Sequence, residues 1–211
     1  MKGLCLIVSG GEFCEIPDVL RKPERVIACD RGWQHAERLG LVPDLVLGDF
    51  DSAPPPETAG PVERVPTRKD DTDTMLAARH AAGWGYRDVA ICCAFGGRLD
   101  HTLANLQTAA WLVERGARVR LLGTDTDALV FGGGCERVPR RDGWSLSLFA
   151  LSERCEGVCV RGAKYECEGV ELSAAFPLGV SNVWAAEEAE ISLRSGTLLV
   201  LSSKLKKGEH I

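Results

Sequence analysis

The sequence predicts an α/β protein in which an N-terminal parallel-sheet domain is followed by an all-β sandwich or barrel. Two observations carry this expectation. Up to residue 123, short apolar runs alternate with helical patterns, an order that lays helices over a parallel sheet. After Gly123 only short strand-like runs remain, parted by glycine, proline and charged turns, and no amphipathic helix stands out. The boundary falls near 123–127, giving domains 1–123 and 124–211.

In the first domain, Leu4–Val8 is an apolar run ending in Ser9-Gly10-Gly11, and Arg25–Cys29 is another, ending in Asp30-Arg31-Gly32. A helical pattern covers Trp33–Leu39, with Gly40 as its stop. Leu45–Leu47 is the third strand, leading into Gly48-Asp49-Phe50-Asp51-Ser52, and the proline-rich segment 53–60 is a loop. A helix is expected over Asp71–Ala82, closed by Gly83. Asp88–Phe95 then reads as a buried strand, Leu99–Arg115 as the longest helix and Arg118–Leu122 as a strand. The second domain offers strands at Ala128–Phe131, Trp144–Leu151, Gly157–Val160, Val170–Leu172, Ala189–Leu193 and Thr197–Ser202.

Composition narrows the functional classes. Among 211 residues, 25 Lys and Arg against 30 Asp and Glu leave a net charge of −5, which argues against a polyanion-binding surface and hence against nucleic acid as a partner. A local site for a few phosphates stays open if a divalent metal supplies positive charge. Met1–Gly11 is too short and too weakly cationic for a signal peptide, and no apolar run reaches the ~18 residues that a membrane span needs. The nine cysteines read as reduced thiols in a cytoplasmic setting. Cys155, Cys159 and Cys167 lack the spacing of a zinc site and have no histidine near them.

The chemistry gathers at strand ends, because ligands of open α/β sheets sit beyond the carboxyl ends of the strands. Asp49 and Asp51, two apart on extended chain, would share one side and one hard cation, although Asp-x-Asp alone also suits a polar strand exit. In Lys69-Asp70-Asp71-Thr72-Asp73, Asp70 and Asp73 would be neighbours on a helical face. Acids at a helix start are favoured by the macrodipole alone, yet three of them beside Lys69 exceed what capping needs. Gly96-Gly97-Arg98-Leu99-Asp100-His101 is another strand-to-helix turn whose amides and guanidinium suit a phosphate, with Asn105 on the face of His101. Together these groups suit a Mg²⁺-bound nucleoside triphosphate. The P-loop and dinucleotide fingerprints are missing.

Asp30-x-Gly32, Pro43-Asp44-Leu45-Val46-Leu47-Gly48-Asp49-Phe50-Asp51-Ser52, Lys69-Asp70-Asp71-Thr72-Asp73, Gly96-Gly97-Arg98-Leu99-Asp100-His101 and Asn105, in this order, resemble thiamine pyrophosphokinase. Pro177-Leu178-Gly179-Val180-Ser181-Asn182 and the closing Gly196–Val200 segment resemble that family's C-terminal region. The resemblance implies transfer of diphosphate from ATP to the hydroxyl of thiamine, releasing AMP, with an ATP/Mg domain over 1–123 and a thiamine-binding, dimerising β domain over 124–211. It implies a homodimer with shared active sites. By motif it makes Asp49, Asp51 and Asp73 the Mg²⁺ carboxylates, with Asp70 beside them in the catalytic set. It places Asp30, Lys69, Gly97, Arg98, Asp100, His101 and Asn105 at the nucleotide, and Ser181 and Asn182 at thiamine. Arg31 stands where many members have glycine. The aromatic cover of thiamine found in some members has no clear counterpart; Trp184 is either that residue or a buried tryptophan of the β domain. A pyrophosphokinase for another hydroxymethyl compound, such as a pterin, and a nucleotide-sensing module without turnover are the alternatives.

Overall fold

The computed structural model describes residues 2–50, 60–66, 70–206, 208–209 and 211. Contacts divide the chain into two units, Met1–Thr124 and Asp125–Ile211. The first holds strands β1 (Leu4–Val8), β2 (Arg25–Cys29), β3 (Leu45–Gly48), β4 (Val62–Arg64), β5 (Asp88–Cys92) and β6 (Arg118–Leu122), and helices α1 (Gly32–Arg38), α2 (Asp73–Gly83) and α3 (Leu99–Val113). All its strand pairs are parallel, in the order β6-β5-β1-β2-β3-β4. The chain therefore runs outward from β1 to β4 and restarts at β5 on the other side of β1. That reversal is the topological switch at which such sheets bind ligands.

Continuous apolar runs form β1, β2, β3 and β5 because both sheet faces are covered there. Cys5, Leu6, Ile7 and Val8 are all 0% exposed. Leu6 and Val8 pack with Ala36, Leu39 and the 14–20 segment, while Cys5 and Ile7, by the period of two, face the other way, where α2 lies against β1. Each such aliphatic chain contributes about 1.5–3 kcal/mol on burial.

Helix ends explain where the sequence-based bounds shift. Gly40, at φ 71°, follows α1 as its left-handed stop. In α2 the left-handed glycine is Gly85, at φ 84°, whereas Gly83 lies inside the helix. The Thr72 hydroxyl accepts the Met75 N–H at 3.1 Å, so this residue caps α2 and the helix begins at Asp73. Strand β5 stops at Cys92 rather than Phe95, because Cys93 takes φ 54°.

The second unit is antiparallel throughout. Its strands are β7 (Thr126–Phe131), β8 (Gly134–Pro139), β9 (Trp144–Ala150), β10 (Arg154–Arg161), β11 (Cys167–Ser173), β12 (Gly179–Asn182), β13 (Glu188–Leu193) and β14 (Leu198–Lys204). They pair as β12-β9-β14-β7 and as β11-β10-β13-β8. Leu146, Leu148, Leu198 and Val200 of the first set pack with Val158, Val160, Ile191 and Leu193 of the second. Trp184 belongs to this core, 7% exposed, with its indole N–H on the Val138 carbonyl at 2.9 Å. It is a buried structural tryptophan.

Candidate active site

A cleft of about 520 Å³ opens at the carboxyl ends of β1, β2, β3 and β5. Asp30, Asp49, Asp73, Gly97, Arg98, His101 and Asn105 all line it. Asp51 and Lys69 lie outside the described residues.

Local packing delivers each carboxylate. The Asp30 N–H donates to the Leu47 carbonyl at 2.6 Å, and a side chain at Gly48 would press on the Asp30 backbone, its Cβ 3.0 Å from Asp30 Cα. The ends of β2 and β3 thereby hold Asp30 and Asp49 close along the sheet edge. Helix α2 is tied to the same edge. The Ser9 and Thr74 hydroxyls meet at 3.0 Å in a buried contact, and the Cys29 thiol lies 3.5 Å from the Asp73 carbonyl. Asp73, at the first helical position, reaches the cleft from there, and the helix N-terminus favours its charge. Gly11 and Gly32 permit this convergence. A Cβ at Gly11 would stand 2.3 Å from the Cys93 carbonyl oxygen, and one at Gly32 would stand 2.2 Å from that of Val8.

Several expectations change here. Asp70 precedes the Thr72 cap, so it shares no helical face with Asp73 and is not among the residues lining the cleft. Asp71 forms a two-pronged pair with Arg79 at 2.8 and 3.2 Å, a helix contact. Strand β3 ends at Gly48 and Phe50 takes φ 56°; the pairing expected of Asp51 with Asp49 lies outside the described residues. Asp100 is also absent from the lining. Its carboxylate accepts Arg98 Nε–H at 3.1 Å and the His101 N–H at 3.0 Å, and the Arg98 guanidinium holds its pKa below the usual carboxylate range. Asn105 is buried, and its Nδ2 donates to the Ala94 carbonyl at 2.7 Å, fixing α3 to the chain leaving β5.

Sequence reasoning assigned no role to Glu12, Thr72 or Thr74, which line the cleft as well. Arg31 also lines it, and its guanidinium donates to the Gly11 carbonyl at 3.2 Å. His35 contacts that carbonyl at 3.0 Å through Nε2; burial lowers its pKa, opposed by the carbonyl. Glu12 stands four places beyond β1, and Thr72 and Thr74 flank the start of α2, where charged and hydroxyl residues are too common to single these out.

In the second unit, a pocket of about 250 Å³ is lined by apolar side chains such as Leu148, Val160 and Leu172, with Tyr165, Val180 and Asn182 among the rest. Asn182 is buried. Its Oδ1 accepts the Tyr165 N–H at 2.9 Å, and its Nδ2 donates to the Tyr165 carbonyl at 2.7 Å. Its amide thus clamps the 165 turn. Ser181 sits in the left-handed region at φ 62°, exposed, with its N–H on the Ser147 hydroxyl at 3.1 Å. Tyr165, Phe176, Leu178 and Val180 are exposed apolar or aromatic side chains along the same stretch.

Two family models match the chain, "Thiamin pyrophosphokinase, catalytic domain" over residues 16–121 and "Thiamin pyrophosphokinase, vitamin B1 binding domain" over 137–198. The chain belongs to the thiamin pyrophosphokinase family. A Bacillus subtilis thiamine pyrophosphokinase is 27% identical over 207 residues, covering 93% of this chain and 97% of the relative. A crystal structure of the enzyme from that organism superposes with a TM-score of 0.82 at 25% identity, over 95% of this chain and 99% of the other. A thiamin pyrophosphokinase family protein from Enterococcus faecalis gives 0.78 at 29% identity, over 97% and 100%. The activity is that of the family, thiamine pyrophosphokinase, a diphosphotransferase of thiamine diphosphate biosynthesis.

Proposed function

We propose that the cleft of the first unit binds ATP with Mg²⁺, and that its diphosphate passes to the hydroxyl of thiamine held by the second unit. The observation that carries this reading is the meeting of Asp30, Asp49 and Asp73 with the Gly96–Gly97 turn in one cleft, from strand ends and a helix start far apart in sequence. Among the described residues no cluster of three His, Cys, Asp or Glu side chains could hold a metal unaided. Asp49 and Asp73 nevertheless fit Mg²⁺, which takes hard oxygen donors and is commonly held by one or two carboxylates plus substrate phosphates. They would hold it, with Asp51 as the third carboxylate of the motif. A Mg²⁺ ion held there would offset charge on the phosphates and on the AMP that leaves.

The protein's own groups then bind and orient. The cleft directs the β-phosphorus toward the incoming hydroxyl, whose oxygen forms the new P–O bond as the bond to the α-phosphate oxygen breaks. The hydroxyl proton goes to a cleft carboxylate. Arg98, which lines the cleft, and Lys69 offset phosphate charge; His101 flanks the nucleotide and Asn105 braces α3 behind it. In the second unit Ser181 presents its hydroxyl to thiamine, while Asn182 acts by fixing the turn beside it. The exposed Phe176, Leu178 and Val180 suit burial against a second copy in a homodimer that completes each active site.

The test is AMP release from ATP with thiamine, with a hydroxymethyl pterin or with neither. The expected result is AMP formation only with thiamine and Mg²⁺. AMP release with the pterin alone, or none under any condition, overturns the reading.

A further inference from the structure

Glu12 lies where the chain leaving β1 meets the chain leaving β5. The Gly11 N–H donates to the Cys93 carbonyl and the Glu12 N–H to the Phe95 carbonyl, both at 3.1 Å. These bonds lay the Glu12 carboxylate on the Gly96–Gly97 turn. Its Oε1 accepts the Gly97 N–H at 3.3 Å, and a Cβ at Gly96 would stand only 2.4 Å from its carboxyl carbon. Both glycines have positive φ, 87° and 68°. Glu12 lines the cleft beside Asp30, Asp49 and Asp73, and among the described residues its carboxylate meets a backbone N–H but no Lys or Arg.

An anionic oxygen on that N–H occupies the place a phosphoryl oxygen would take, and its charge repels a second anion across the same cleft. We propose that Glu12 is a displaceable plug, holding the Gly97 N–H until a nucleotide phosphate takes it over. This inference rests on reading the cleft as the ATP site. It makes Glu12 a specificity residue. Metal-free polyphosphate meets the full repulsion of its carboxylate, whereas a metal-bound nucleotide carries less charge and displaces it more readily.

Calorimetric titration of Mg·ATP and of metal-free inorganic pyrophosphate into the wild type, Glu12→Gln and Glu12→Asp tests this. Glu12 is on the surface, and a thermal melt checks that each variant is folded. Glu12→Gln should tighten Mg·ATP by about 3- to 10-fold and metal-free pyrophosphate by more. Glu12→Asp keeps the charge but is one methylene shorter than the Gly97 contact needs, so it should also tighten Mg·ATP. Unchanged or weaker Mg·ATP binding in Glu12→Gln overturns the proposal. So does a Glu12→Asp variant identical to the wild type, which would mean that general charge alone acts. A wild type that binds no Mg·ATP overturns the nucleotide reading of the cleft itself, and the plug with it. Mg·ATP binding without the Glu12 effects overturns the plug alone.

Discussion

In Met1–Thr124 most residues lining the cleft carry polar side chains and come from strand ends and helix starts separated by tens of residues; in Asp125–Ile211 the pocket is mostly apolar and draws on paired antiparallel strands and the stretch from Tyr165 to Asn182. The difference follows from topology. A parallel sheet points every carboxyl end the same way, so distant loops converge on one edge without further instruction. An antiparallel sandwich sends successive loops to opposite ends, and its binding surface must be built from local turns. In this chain, Asn182 holds one of those turns through its side-chain amide.

The largest effects should break the first unit's convergence. Asp49→Asn and Asp73→Asn should each lower kcat by about 100-fold or more, the scale of losing one preorganised electrostatic contact to a transition state. Asp70→Asn and Asp100→Asn, outside the cleft lining, should stay within about 3-fold of the wild type. Steady-state AMP release compares all four, and equal losses would mean that the strand-end geometry does not select the working carboxylates. Next in size, Gly32→Ala drives a methyl group against the Val8 carbonyl and should destabilise the fold by about 1–3 kcal/mol in urea unfolding. Retained stability there would mean that the α1 start moves freely against β1.

In the second unit, Asn182→Ala leaves the Tyr165 N–H and carbonyl without their partner. It should raise the thiamine KM by about 10-fold, leaving the KM for ATP unchanged. An equal rise in both would remove the division of labour between the units. The smallest effect concerns His35. Its folded-state pKa is lowered, so its neutral form is favoured by folding; the stability this supplies is present above the unfolded value of about 6.5 and is lost as pH falls toward the folded value. The thermal unfolding midpoint should therefore fall more steeply as pH drops in the wild type than in His35→Gln. Parallel pH profiles would remove His35 from the account.

The sequence made the first unit more legible than the second for the same physical reason. Apolar runs buried on both faces marked β1, β2, β3 and β5 within a few residues, and strand-end glycines marked where they stopped. Three short edge strands escaped. Val62–Arg64 is exposed along its whole length, Gly134–Pro139 carries Glu136 and Arg137 between glycine and proline, and Gly179–Asn182 holds Val180 as its one aliphatic side chain, so none has an apolar pattern to betray it. Asp49 and Asp73 were legible as residues of the cleft because their motifs end a strand and start a helix. The separation of Asp70 from Asp73 was not, because it turns on the Thr72 cap rather than on spacing. Asn182 shows the other limit: its motif marked it for thiamine, whereas the amide is turned inward, which only three-dimensional packing reveals.

The first unit's cleft carboxylates, Asp49 after β3 and Asp73 at the start of α2, are held to bind nucleotide through a metal. Equilibrium titration of ATP, with and without Mg²⁺, into the wild type, Asp49→Asn and Asp73→Asn tests it most directly. Mg²⁺ should tighten ATP binding in the wild type, and either substitution should largely abolish this gain. ATP binding that ignores Mg²⁺ in the wild type, or a gain that survives both substitutions intact, would contradict it.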